Sequence, residues 1–277
     1  MFTYSLDAHA WMLGKTVRTN AYIDALSRVV KPGDTVLDIG TGVGTFALAA
    51  CRLGARRVYA VDPSDVIHVG RELAAANGCT DRIAFIQALS TDLTLSEPVD
   101  VIVQEIHGVL PMFGPSLATI LDARTRLLKP GGALIPRRER LWAALVDSPE
   151  LYAPHDRPWG DSDPGFNLDG VRSALINHWI KRTVHRASLV GAPQEWATLD
   201  YDTLDSPQVR GLLTWPVTRP ATLHGVAVWF DAVLADGVEF SNAPDCPGLP
   251  YGQAFFPWGR PIPVEAGHSV SVSWPPV

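Results

Sequence analysis

Apolar positions in the first half of the chain form short runs that alternate with longer segments of helical period. Residues 8–30 carry Trp11, Met12, Val17, Tyr22, Ile23, Leu26 and Val29 at helical spacing, closed by Lys31-Pro32-Gly33. The runs 35–39, 57–61, 83–87 and 99–104 have the length of buried strands, and a fifth strand begins at Ala133. Helical segments separate them: 45–53 ending at Gly54, 65–76 stopped by Asn77-Gly78, and 115–128 before Lys129-Pro130-Gly131-Gly132. Strand–helix units joined by short connections predict a parallel, doubly wound sheet with helices on both faces.

The pattern changes near residue 140. LWAALV (141–146), WATLDY (196–201), VRGLLTW (209–215), LHGVAVWFDAVL (223–234) and SVSVSW (269–274) read as strands, several with period-two alternation, between Gly, Pro and Asp turns. The stretch 149–180 reads as a long loop with a short helix over 168–176. Composition marks the same boundary: 16 of the 23 prolines and eight of the nine tryptophans lie beyond residue 140. Three parts follow: a helical segment (1–33), an α/β domain (34–139), and a mostly antiparallel β domain (140–277).

Charge and cysteine usage narrow the function. At 47% hydrophobic and 19% charged the chain has the composition of a soluble globular protein. A net charge of −6 argues against nonspecific binding to nucleic acid or an anionic membrane. Cys51, Cys79 and Cys246 lack metal-ligand spacing, so free thiols in a reducing compartment and no metal site are expected. The first residues show no basic region followed by an apolar run, and no apolar stretch is long enough to span a bilayer; a cytoplasmic location is expected.

Candidate chemistry concentrates in TVLDIGTGVG (35–44). Three glycines, Gly40, Gly42 and Gly44, follow a strand and precede a helix, a turn that lets a ligand approach the main chain. The next strand ends on Asp62, placed to take ribose hydroxyls. Gly40, Asp62, residues 87–90 and Glu105 all fall at the carboxyl ends of predicted strands, where ligands bind in such sheets. The third glycine comes one residue earlier than in a dinucleotide turn, and Asp38 precedes the turn. A carboxylate there opposes a pyrophosphate but suits a cationic ligand with an amino group, such as S-adenosylmethionine.

VLDIGTGVGTFALAA, GARRVYAVDPSD, VDVIVQEIHG and LKPGGALIP resemble the successive motifs of class I S-adenosylmethionine-dependent methyltransferases, and more narrowly those of the protein arginine methyltransferases. AHAWMLGKTVRTNAYIDAL is similar to that family's N-terminal helix. The resemblance implies a Rossmann-like domain followed by a β-barrel-like domain, with S-adenosylmethionine as cofactor and S-adenosylhomocysteine as product. It implies that His9 and Arg18 hold the methionine carboxylate and that Met12 packs between cofactor and substrate. Asp38, Gly40, Gly42 and Gly44 would line the homocysteine end, the Asp62-Pro63-Ser64 turn would take the ribose, and Ser90 and Thr91 would sit near the adenine. A homodimer built through 149–180 is also implied.

The acceptor side departs from that family. Its first loop glutamate is matched by Glu105, but the second falls at Gly114 or a neighbour, Phe113 or Pro115, and none is acidic. The Thr-His-Trp loop corresponds to Tyr251-Gly252-Gln253, and Trp179 lies too early to replace it. Glu105 and His107 are therefore the candidate catalytic residues, with histidine able to act as general base near neutral pH. The expectation is N- or O-methylation of a small molecule or peptide. Two alternatives stay open: a genuine arginine methyltransferase drawing a second carboxylate from Asp156, Asp161 or Asp163, and a non-catalytic cofactor-binding partner.

Overall fold

Each short apolar run of the first half needs a helix to cover its face, and the chain supplies one in three of the four connections between successive strands. The structure is a computed structural model that describes residues 4–112, 114–160 and 178–274. Strands β1 (Thr35–Ile39), β2 (Arg57–Val61), β3 (Ile83–Ile86), β4 (Val99–Gln104) and β5 (Leu128–Ile135) lie in the order β3-β2-β1-β4-β5, every adjacent pair parallel. Helices α3 (Thr45–Arg52), α4 (Ile67–Ala76) and α5 (Ser116–Leu127) connect them. The order reverses between β1 and β4, so the carboxyl ends of these two strands open a crevice. All five residues of β1 are buried, which fixes the depth of the turn that follows.

The single N-terminal helix expected over 8–30 is two. Helix α1 (Leu6–Leu13) ends at Gly14, and α2 (Thr16–Val29) starts anew. The two have different tasks. None of the residues of α1 is buried, whereas α2 buries Arg18, Thr19, Tyr22, Ala25 and Leu26 against the sheets.

In the second half, β6 (Arg138–Val146), β7 (Ile180–Arg182), β8 (Leu189–Asp200), β10 (Ala221–Ala235) and β12 (Gln253–Val264) form an antiparallel sheet ordered β7-β12-β10-β6-β8, with β11 (Val238–Ser241) against β10. Strands β9 (Gly211–Pro216) and β13 (Ser269–Trp274) pair separately. Strand β12 was hidden in the sequence by Pro257, Pro261 and Pro263. Beyond residues 253–255 β7 no longer flanks it, so this stretch is a sheet edge, where proline is tolerated. The expected loop 149–180 instead begins as a helix, α6 (Pro149–Gly160), with proline at its first position. The helix expected at 168–176, with most of the implied dimer arm, lies outside the described residues, as do Asp161 and Asp163. No helix among the described residues is long and apolar enough to cross a membrane.

Candidate active site

The glycine turn is built by its neighbours. Gly40, Gly42 and Gly44 have φ of +72°, +54° and +84°, a region that favours glycine. The N–H groups of Gly40 and Thr41 donate to the Val61 carbonyl at 2.8 and 3.1 Å, tying the turn to β2. Asp38, fully buried, accepts from the Thr41 hydroxyl (2.6 Å) and the Ala47 N–H (3.0 Å), which staples the turn to the first turn of α3. Burial raises its pKa to about 7 in spite of these bonds. Asp62 accepts from the Gly42 N–H at 3.0 Å on one oxygen and from the Ser64 N–H at 2.9 Å on the other.

A cavity of about 310 Å³ opens above this turn. Of the residues singled out in the sequence, His9, Met12, Arg18, Gly40, Gly42, Asp62, Pro63, Ser64 and Glu105 line it. Asp38 and Gly44 do not; they stand behind the turn and shape it. Ser90 and Thr91 do not line it either. They lie in a single 3₁₀ turn whose carbonyls accept from Arg126. Tyr4, Leu13 and Phe46 also line the cavity, and no local sequence signal marked them.

The turn leaves room for a ligand and for nothing else. A Cβ on Gly40 would stand 2.5 Å from Ile106 Cγ2, and one on Gly42 would stand 2.8 Å from His9 Cε1. A close-approach glycine turn, the Asp62 carboxylate and the Arg18 guanidinium lie around one cavity. Gly42→Ala is therefore expected to weaken cofactor binding by about tenfold or more, since its Cβ would push the His9 ring, a wall of the cavity, out of place. Isothermal titration calorimetry checks this.

Glu105, at the tip of β4, is the hub. Arg18 Nη1 donates to its Oε2 at 2.5 Å, and the Tyr251 hydroxyl donates to its Oε1 at 2.8 Å. Burial raises the Glu105 pKa, and the Arg18 charge with the two hydrogen bonds opposes that rise. The resemblance implied Arg18 as a carboxylate ligand; its guanidinium is engaged by Glu105, with Nε buried and without a hydrogen-bond partner. A second cavity of about 220 Å³ meets the first at Tyr4, Met12, Glu105 and Ile106. Trp11, Lys181 and Tyr251 complete its polar and aromatic wall. Lys181 Nζ donates to the Pro250 carbonyl at 2.5 Å and lies 5.7 Å from the Trp11 ring centroid, its pKa lowered by burial.

Gly114 and Pro115 are exposed and line neither cavity. His107, expected as a base facing the acceptor, lines neither cavity. It is 2% exposed, packed against Phe230 and Tyr251 at ring-centroid distances of 4.8 and 5.5 Å. Burial, with the Arg18 charge second, pushes its pKa down to about 3, so it is neutral.

Known proteins share this arrangement at two levels. The family model for ribosomal protein L11 methyltransferase matches residues 10–136, the part that holds the glycine turn and Glu105. An arginine N(omega)-methyltransferase of Streptomyces achromogenes subsp. streptozoticus is 33% identical over 273 residues, 95% of this chain and 74% of that protein. Protein arginine N-methyltransferase PRMT10 of Oryza sativa subsp. japonica is 31% identical, covering 98% of this chain and 81% of the relative. Among solved structures, a Trypanosoma brucei PRMT1 enzyme–prozyme heterotetrameric complex with AdoHcy superposes with a TM-score of 0.84 at 25% identity, over 95% of this chain and 85% of that one. Arabidopsis thaliana protein arginine methyltransferase 10 gives 0.82 at 25% identity, over 97% and 87%. A parallel sheet with a glycine turn, an antiparallel domain behind it and 31–33% identity to such relatives over 95–98% of this chain have one explanation: the chain is an S-adenosylmethionine-dependent methyltransferase and belongs to the arginine methyltransferase family.

Proposed function

We propose that this enzyme methylates a nitrogen of a small acceptor that carries both a cationic and an anionic group, free arginine being the acceptor with that chemistry. The observation that carries this reading is the charge of the second cavity: among its described lining residues there is one carboxylate, Glu105, and one ammonium, Lys181. A cavity of about 220 Å³ suits a small molecule better than a wide peptide groove. The name of the Streptomyces relative, an arginine N(omega)-methyltransferase, agrees with it.

The cofactor supplies an electrophilic methyl group on a sulfonium, and the protein has to align a nucleophile with it. His9, Met12, Asp62 and the glycine turn would hold the cofactor, with Arg18 closing the cavity beside Glu105. Each oxygen of Glu105 accepts one hydrogen bond from the protein, which leaves lone pairs free for two acceptor N–H groups. Glu105 thereby fixes the reacting nitrogen at the junction of the two cavities, while its charge favours proton loss from it. Lys181 takes the acceptor's distant carboxylate.

Methyl-labelled cofactor offered with free arginine, an arginine-rich peptide and a cell metabolite extract tests the reading. Label in free arginine or the small-molecule fraction is expected; label confined to the peptide overturns it in favour of protein arginine methylation. Lys181→Ala is expected to raise KM for free arginine by about tenfold with little change in kcat, the size of one charge-assisted contact. The same variant should leave argininamide, which lacks the carboxylate, unaffected in steady-state assays.

A further inference from the structure

Glu139 belongs to no recognisable motif, lies on β6 in the antiparallel half, and is fully buried. Its Oε2 accepts from the Tyr201 hydroxyl. Its Oε1 has no hydrogen-bond partner and lies 3.3 Å from His107 Nδ1, and neither ring nitrogen of His107 has one either. On the far side of the ring, His107 Nε2 lies 3.9 Å from Glu105 Oε1, too long for a hydrogen bond but within Coulombic reach. A buried line thus runs Tyr201–Glu139–His107–Glu105, crossing from one half of the protein to the other.

The charges around this line decide how it is protonated. The groups facing it are Arg18 and Tyr22 from α2, Glu105 beyond β4, Tyr201 beyond β8 and Tyr251 before β12. Arg18 is the one formal cation among them, and it is bonded to Glu105. A fully buried carboxyl and a partly buried one share one cation, so the carboxyl without it keeps its proton. With Tyr201 donating to Oε2, that proton stands on Oε1, against the Nδ1 lone pair.

We infer that Glu139 is a positioning residue for methyl transfer: as a neutral acid it donates from Oε1 to His107 Nδ1 and so fixes the imidazole tautomer whose Nε2–H faces the Glu105 carboxylate. This rests on Glu105 being the acceptor-binding carboxylate. The tautomer presents the positive end of an N–H to Glu105 from behind, beside the donors Arg18 and Tyr251, and keeps the carboxylate ionised and in place. Burial pushes the Glu139 pKa up to about 8. Above that, ionised Glu139 requires the proton on Nδ1, which turns a lone pair towards Glu105 and adds a second negative charge. Turnover therefore falls as pH rises through about 8. Tyr22, Tyr201 and Tyr251 are held well above their ordinary range, His107 stays neutral, and Lys181, whose pKa burial lowers, acts on acceptor binding and so on KM; the limb in kcat belongs to Glu139.

Two measurements test the inference. Nitrogen-15 NMR of histidine-labelled wild-type protein, with His107 assigned by its loss in His107→Asn, is expected to show the Nε2–H tautomer at neutral pH and the Nδ1–H form growing above about 8. An Nδ1–H tautomer at neutral pH overturns it. Glu139→Gln can donate its amide to Nδ1 and accept from Tyr201. Its kcat is expected within about threefold of wild type, without the alkaline fall, whereas Glu139→Ala leaves both partners unsatisfied and loses roughly 30-fold. Equal loss in both variants makes the ionised form the working one and overturns the inference, as does an alkaline limb that survives in Glu139→Gln. The NMR readout needs no acceptor. If the expected tautomer is found and no acceptor takes label, the functional reading fails separately from the geometry.

Discussion

Glu105→Gln is expected to reduce kcat by about 10³-fold while S-adenosylmethionine affinity changes by less than roughly fivefold, the scale on which removal of one essential charged group is felt. Glutamine is close to isosteric, and its carbonyl can still accept from Arg18. The glycine turn, Asp62 and His9, which would hold the cofactor, are untouched. What is lost is the negative charge that draws a cationic nitrogen into the junction of the two cavities and favours its deprotonation. Single-turnover kinetics with labelled cofactor, together with calorimetry of cofactor binding, separate the two quantities. Substantial turnover by the variant would remove Glu105 from the mechanism. A parallel loss of cofactor affinity would make it a binding residue instead.

The second large effect concerns stability. Arg18→Ala removes the one cation bonded to Glu105 among the described residues and leaves a largely buried carboxylate with Tyr251 as its remaining hydrogen-bond partner there. Breaking a buried pair from one side costs about 3–5 kcal/mol, well above the net contribution of the intact pair. Urea unfolding of the variant is expected to show a loss of that size. The double variant Arg18→Ala/Glu105→Gln should recover most of it, because no uncompensated charge remains. A loss below about 1 kcal/mol in the single variant would mean that Glu105 takes up a proton at little cost, and the ionised carboxylate on which the proposed chemistry depends would have to be abandoned.

The legible part of the site was the part written locally. The glycine turn, Asp62 and Glu105 are each a few residues from a strand end, so strand periodicity was enough to bring them to one edge of the sheet. Tyr251 and Glu105, by contrast, are 146 positions apart, and Glu139 and Tyr201 are 62 apart. No spacing rule joins them; only the packing of the antiparallel half against the parallel one does. His107 was visible as a polar residue in the acceptor loop, but its inward direction depends on Phe230 and on Glu139, neither nearby in sequence. The resemblance implied a ligand role for Asp38, yet its carboxylate is used by Thr41 and Ala47. In the fold, the strand-like runs 141–146, 196–201, 209–215, 223–234 and 269–274 fall largely in β6, β8, β9, β10 and β13. The strand pattern missed β12 because prolines, which end a central strand, are permitted at an edge. Pro149, Pro154 and Pro158, crowded into a single segment, give helix α6 the sequence pattern of a loop.

The line from Tyr201 to Glu105 has a consequence for how such an enzyme can be divided or recombined. The carboxylate at the tip of β4 owes its setting to Tyr251 and, through His107, to Glu139, both outside the parallel sheet. Its charge state is therefore a joint property of the two halves. A chimera that joined this parallel half to the antiparallel half of a relative would inherit every visible motif and still place a buried histidine against a stranger. Glu105, His107, Glu139, Tyr201 and Tyr251 make up one heritable unit scattered over five places in the chain, and they must be transplanted together.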